Sequence, residues 1–427
     1  MRMLSLYSCF LPCIRKLKMD DTTVAKNGDK EGIIAAQEPK NPVGFPLHKL
    51  PIVAFIEVIR TMTIQQRIKL ALSSSTMELL LQIAKPKPYT IILNLAGEES
   101  QVTIYYKTFL FCGEDSFELK GYENVKKADL SPWLNPELST HENTINVYRR
   151  ILKIFPTNFF KLAIRLTDNN QAIIREMLAV SDLKNFKEIM INGEKIDKEN
   201  LDLVMETLEK DRSIVLRVKS IPDGYYHENL FKFVAVEYLA TGWIKVEHLF
   251  TFRDMQRVKL NRCSFTTTDI NILLKHWTNC DNDMFKKMHL IFDENTDVSI
   301  EGMCDGLVAL SCYRNGDNFI LVACKPGTSR KYQFMSIFHR EDRPGIRFTC
   351  RLIDRPFPHN QRPAEPFRQE FEILEILSQK KVLEDRLKVI LEPLEKREIE
   401  EQLRELRNDL EERGVLLNGQ LPEVLPN

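Results

Sequence analysis

The sequence predicts a mixed α/β protein, and three observations carry that expectation. Between Phe45 and Ala84 apolar residues recur with helical spacing between closely set caps. From about Thr144 short apolar strands alternate with helices and then give way to a β-rich stretch. From Phe367 a charge-rich run carries Leu and Ile at helical spacing. This order of textures predicts a three-helix head, a strand–helix middle and a helical tail.

The head comes first. Pro51 suits the first turn of a helix, where its missing N–H costs nothing. Ile52, Phe55, Ile56 and Ile59 then mark one face, and Val58 and Met62 fall on another, so this helix is apolar nearly all round. Thr63-Ile64-Gln65-Gln66 fits a capping box and opens a second helix with Ile64, Ile68 and Leu72 on one face. Ser75-Thr76-Met77-Glu78 fits another box and opens a third, carrying Met77, Leu80, Leu81 and Ala84 before Pro86. A unit of about forty residues buries too little surface to stand comfortably alone. Each large aliphatic side chain that is buried contributes roughly 1.5–3 kcal/mol. The surplus apolar face therefore docks elsewhere, on the rest of the chain or on another subunit.

Lys85-Pro86-Lys87-Pro88 is a stiff linker, followed by strands over Tyr89–Leu95 and Gln101–Phe111 joined by the Gly97-Glu98-Glu99-Ser100 turn. Thr144–Phe155 then reads as helix, Lys161–Leu166 as strand and Gln171–Val180 as helix. One segment recurs. Glu188-Ile189-Met190-Ile191-Asn192, then Ile196-Asp197 and a helix through Leu201 and Val204, matches Arg257-Val258-Lys259-Leu260-Asn261, then Phe265-Thr266 and a helix through Ile270 and Leu273, at an offset of 69 residues. The shared pattern resembles a degenerate leucine-rich repeat, in which the strand packs alternate residues inward and the Asn satisfies turn backbone. A plain α/β layer is the alternative. Ile214–Val218 and Met288–Phe292 add strands. Leu307–Cys312, Phe319–Cys324, Tyr332–Phe338 and Arg347–Ile353 make the β-rich segment.

In the tail, Leu383, Leu387, Ile390 and Leu394 follow +4, +3, +4, as a coiled-coil seam requires. Pro393 interrupts. Ile399, Leu403, Leu406 and Leu410 resume in a shifted register, and Gly414 is a natural cap. Two helices are expected, bent at Pro393 or folded back as a hairpin. They dock on their own body or join chains through 367–413.

The totals exclude several classes. A chain of 427 residues predicts two or three domains. Lys+Arg and Asp+Glu both stand at 60, so no whole-chain field draws it to nucleic acid. The nine cysteines form no Cys-x-x-Cys, and no second Cys/His pair follows Cys9 and Cys13 at zinc spacing. Such a scattered set reads as free buried thiols in a reducing compartment, which predicts a cytoplasmic or nuclear protein. The apolar run 3–14 lacks a small-residue cleavage site and is too short to span a bilayer. Cys9 and Cys13 beside basic residues leave a peripheral lipid anchor open. Residues 1–44 read as a disordered leader, with Met19 as an alternative start.

No Walker loop, His-Glu-x-x-His or Gly-x-Ser-x-Gly occurs, so no catalytic residue, metal or cofactor is expected. His276 beside Trp277 reads as a helix-face pair. Cys263 follows a strand with no His at an obvious partnering distance. Lys325–Lys331 reads as a solvated basic loop.

Phe45-Pro46-Leu47-His48-Lys49-Leu50-Pro51, with Val58-Ile59-Arg60-Thr61-Met62 and Ser73-Ser74-Ser75, resembles an F-box of the large nematode F-box families. Phe265–Trp277 and Met288–Phe292 resemble the F-box-associated (type 2) region of the same families, which carries a Thr…Asp/Glu-Leu-Asn…Leu…His/Lys-Trp string before a strand. Together the resemblance covers roughly 45–310. Ile56 and Ile64 depart from the acidic residues frequent there.

The resemblance implies a non-catalytic substrate-recognition subunit of a Skp–cullin–F-box ubiquitin ligase. Phe45, Pro46, Leu47, Leu50, Pro51, Phe55, Val58, Ile59, Met62, Leu70 and Ser73 would face the Skp-type adaptor, and through it a cullin, or brace those that do. The implied organisation is leader 1–44, F-box 45–85, strand-rich connector 86–143, recognition domain 144–360 for an unknown target protein, helical tail 367–414 and a disordered end 415–427. The rival expectation is a structural, oligomeric adaptor joined through its tail helices.

Overall fold

A computed structural model describes residues 47–84, 89–106, 115–120, 130–167, 171–293, 296, 298–314, 317–325, 327–328, 330–340, 343–355, 357–359, 362–364, 366–389, 392–417 and 421–424. The expected leader 1–44, the Lys85–Pro88 linker, Phe45, Pro46 and Ile390 lie outside them. The chain divides into two compact units, Met1–Pro86 and Lys87–Asn427.

The head is a 3-10 turn at Leu47–Lys49 and three helices, α1 (Ile52–Thr61), α2 (Ile64–Ser73) and α3 (Ser75–Ala84). The Pro51 carbonyl accepts from Phe55 N–H at 3.0 Å, so the helix starts where its missing donor is harmless. The Thr63 box forms in full: Thr63 Oγ1 accepts from Gln66 N–H at 3.2 Å and Gln66 Oε1 from Thr63 N–H at 2.9 Å. The third helix is capped one residue earlier than expected, with Ser74 Oγ accepting from Met77 N–H. Phe55, Ile59, Ile64, Ile68, Ala71, Leu81 and Ala84 are buried. Buried with them is Arg67, whose Nε donates to the Ile59 carbonyl at 2.9 Å and Nη2 to the Arg60 carbonyl at 3.1 Å. A cation at the end of α1 satisfies carbonyls that have no partner within the helix and complements the helix dipole.

In the second unit one sheet runs from end to end. It opens with β1 (Tyr89–Leu95), β2 (Gln101–Tyr106) and β3 (Asp115–Lys120), an antiparallel set. Next in the chain come α4 (Thr140–Ile154), β4 (Thr157–Arg165), α5 (Ile173–Ala179), β5 (Glu188–Lys195), α6 (Lys198–Thr207), β6 (Ser213–Ser220) and β7 (Ala235–Tyr238). They are followed by α7 (Val246–Leu249), β8 (Arg257–Cys263), α8 (Thr267–Asn279), β9 (Lys287–Phe292) and α9 (Ile300–Cys304). A meander of β10 (Ala309–Arg314), β11 (Asp317–Ala323), β12 (Phe334–Arg340) and β13 (Arg343–Arg351) completes the middle.

Strands β4 to β9 are parallel, and each pairs with the next in chain order. The meander joins this row because β13 pairs antiparallel with β9. The aligned residues Glu188, Ser213, Ala235 and Arg257 stand 25, 22 and 22 positions apart in the chain. The 69-residue offset therefore spans three strand-to-strand steps. Its two segments are β5 and β8, with β6 and β7 between them.

Alternation then assigns the two sheet faces. Phe160, Leu162, Ile164, Ile189, Ile191, Ile214, Leu216, Val236, Val258, Leu260, Met288 and Leu290 point to one face and are buried. Tyr148 of α4 stacks on Phe160 at 4.6 Å, and this is the helix side. Asn261 Nδ2 donates to the Tyr238 carbonyl at 2.9 Å, the backbone duty expected of that Asn.

The tail folds back. After a small hairpin, β14 (Phe357–His359) with β15 (Arg362–Ala364), the helices α10 (Arg368–Leu387) and α11 (Pro393–Glu412) pack on each other. Pro393 occupies the first helical turn, and Gly414 takes φ 75° after the last. Phe367, Ile373, Leu374, Leu377 and Leu410 share a core with Leu310, Cys312, Phe319, Leu321 and Phe334. Phe334 lies opposite Arg351, which alternation puts on the same sheet face as Arg347 and His289, so the hairpin covers the face away from α4–α8. Part of 415–427 departs from the expected disorder. β16 (Val415–Leu416) pairs with β17 (Glu423–Val424), β17 adds in parallel to β10, and Val415 is buried in the tail's core. An open sheet edge beside an apolar core gives this segment both backbone partners and a place for its side chains.

Candidate functional site

Two surfaces, one on each unit, carry side chains that folding alone does not use. On the head, the residues expected to meet an adaptor divide by burial. Phe55 is 2% exposed and Ile59 fully buried, so these two brace the head from inside. Leu47, Leu50, Val58, Met62 and Leu70 are half-buried, and Pro51 and Ser73 are exposed. Phe45 and Pro46 lie outside the described residues. Four further apolar side chains stand in solvent: Ile52 at 48%, Val53 at 70%, Leu79 at 59% and Ile83 at 50%. Ile52, Ile56 and Val53 occupy adjoining positions around α1, beside the buried Phe55–Ile59 stripe. Leu79 and Ile83 stand four apart on one face of α3. The all-round apolar pattern of α1 signalled the first group. The second was missed, because the third helix was read from its buried stripe alone.

On the second unit, the face of β4–β9 opposite the helices sets charged side chains among the buried Ala163, Val215 and Ala235. Lys161 Nζ donates to Glu188 Oε1 at 2.8 Å. Arg257, two strands beyond Glu188's neighbour, reaches back over Ser213 and Ala235 to Glu188 Oε2 at 3.8 Å. Only small side chains in between allow that reach. Glu237 in turn is shared by Arg217 at 3.4 Å and Lys259 at 3.2 Å. In the next column His289 stands between Lys259 and Arg347. Burial holds its pKa down, to about 4, with Arg347 and Lys259 adding to the effect. The ring is neutral at physiological pH.

Among the described residues no group of three or more His, Cys, Asp and Glu is placed to hold a metal ion. Burial pushes the thiols of Cys304 and Cys312 up to about 12 and that of Cys263 to about 11, the opposite of nucleophile activation. His276 stacks on Phe250 at 4.3 Å, and burial lowers its pKa. A cavity of about 620 Å³ lies between the tail hairpin and the loop after β11, lined by Cys324, Thr328, Gln333, Glu375, Gln379 and Leu406 among others. Among the described residues no helix is long and apolar enough to cross a membrane. No protein-family model, curated protein or solved structure matches the chain.

Proposed function

We propose that this chain is the substrate-recognition subunit of a Skp–cullin–F-box ubiquitin ligase and is itself non-catalytic. In this reading the head is an F-box that docks on a Skp-type adaptor. The β4–β9 row is a leucine-rich-repeat-like module that holds a target protein. Ubiquitin transfer follows from proximity, because tethering raises the effective concentration of target at a separate enzyme. The observation that carries the reading is the unburied apolar surface of the head: Ile52, Val53, Leu79 and Ile83 in solvent, with Leu50 and Val58 half-covered beside Pro51. A small helical unit that leaves such side chains out is completed by a partner.

Co-purification of the full-length chain with a purified Skp-type adaptor tests it. Leu50→Ala with Pro51→Ala should abolish capture while leaving the unfolding transition of the Lys87–Asn427 unit in place. Undiminished capture by that variant would defeat the assignment.

One observation favours a second reading, an oligomeric adaptor joined through its tail. Val382, Val389 and Leu394 remain 63%, 77% and 77% exposed near the turn of the helical hairpin.

A further inference from the structure

The open face of β4–β9 alternates in sign strand by strand. Lys161 on β4 is followed by Glu188 on β5, Arg217 on β6, Glu237 on β7, and Arg257 with Lys259 on β8. The alternation then stops. Lys287 on β9 and Arg347 on β13 continue the cations, are exposed, and have no acidic partner among the described residues. With Arg165 on β4 and the Glu194–Lys219 pair on β5 and β6 included, three carboxylates are set against eight cations, in a chain whose formal net charge is zero. The excess is local, and it sits on side chains that no described helix covers. His289 lies within the excess and stays neutral, as burial between two cations requires.

We infer that this face binds an extended, carboxylate-rich segment of the target protein, laid across the strands and held by Arg217, Lys259, Lys287 and Arg347. From Arg217 on β6 to Arg347 on β13 the segment crosses five strands spaced about 4.8 Å apart, roughly 19 Å, the reach of about six extended residues. A peptide suits the face better than a nucleic acid does. Glu188 and Glu237 stand in the middle of the row and would repel a continuous phosphate backbone, but they fit the mixed side chains of a peptide. The face also lacks the interleaved aromatic residues on which bases stack, with Phe159 standing alone at its β4 end. The identity of the bound protein as a ligase target rests on the proposed function; the chemistry of the face does not.

The test uses the full-length chain and a fluorescein-labelled glutamate-rich peptide, with fluorescence anisotropy as readout. A single-stranded oligonucleotide of equal charge runs beside it. The peptide should bind and weaken as salt rises. Lys259→Glu with Arg347→Glu should weaken it by at least about tenfold. Lys396→Glu, an exposed change on α11, should leave it unchanged. Arg347→Gln guards against misfolding of the double variant and should weaken binding in the same direction. Absence of peptide binding, binding insensitive to salt or to these variants, or tighter binding of the oligonucleotide lost in the same variants would each overturn the inference. Loss of adaptor capture with peptide binding intact would overturn the receptor assignment and leave the face assignment standing.

Discussion

At the residue scale the structure turns on polar side chains placed where apolar pattern gives no clue. Arg67 is the clearest. In sequence it is one of two charges on an amphipathic helix, yet its guanidinium is buried against the last carbonyls of α1. His289 is comparable: the alternation of β9 places it on the open face, but only strand order shows Lys259 and Arg347 on either side. Its folded pKa, near 4, lies below the ordinary 6.5. The unfolded chain therefore takes up the proton first as pH falls. The stability carried by the neutral ring is complete above about pH 6.5 and is lost progressively towards pH 4. His289→Gln should accordingly flatten the decline in thermal stability between those values relative to the wild type. Parallel curves for the two proteins would refute the assignment. Apolar spacing made the head's buried stripe legible, and the Thr63 box was readable because its partners lie three residues apart. Arg67 and His289 were not legible, because their partners come from other elements.

At the element scale the tail shows how one periodic pattern serves two ends. Its leucine spacing fits self-association and docking alike, and sequence gives no means of choosing. In the fold, Ile373, Leu374 and Leu377 of α10 are spent on β10–β12. The docking is fixed by a polar contact: Arg314 Nε lies 2.7 Å from Glu370 Oε1, with side chains 18% and 8% exposed. Glu370→Ala leaves that guanidinium with a lost carboxylate in a covered site. It should destabilise the second unit by about 3–5 kcal/mol in chemical denaturation. A change below about 1 kcal/mol, the scale of an exposed pair, would show that the pair is not a buried anchor. The repeat was legible only in part. β5 and β8 share an Asn and a capped helix, but β6 is followed by a shorter connection without a helix and β7 is four residues long. The intervening steps therefore lacked the matching signal, and a period of three units surfaced in place of one. β7 itself is too short to read from alternation.

At the scale of the whole molecule, each unit in the proposed receptor carries one surface for a different partner. The head offers apolar side chains left outside its own core, and the second unit offers a cationic sheet face. The mixed α/β class and the succession of textures were readable from the sequence. The joining of connector, middle and tail into one sheet was not, because pairing between distant strands leaves no local mark. The rival account places the partner surface on the tail. The mass of the 49.8 kDa chain in solution, alone and with an excess of purified Skp-type adaptor, separates the two most directly. The receptor account predicts the mass of one chain alone, rising by the mass of one adaptor on mixing. A multiple of the chain mass that does not change when the adaptor is added would contradict it.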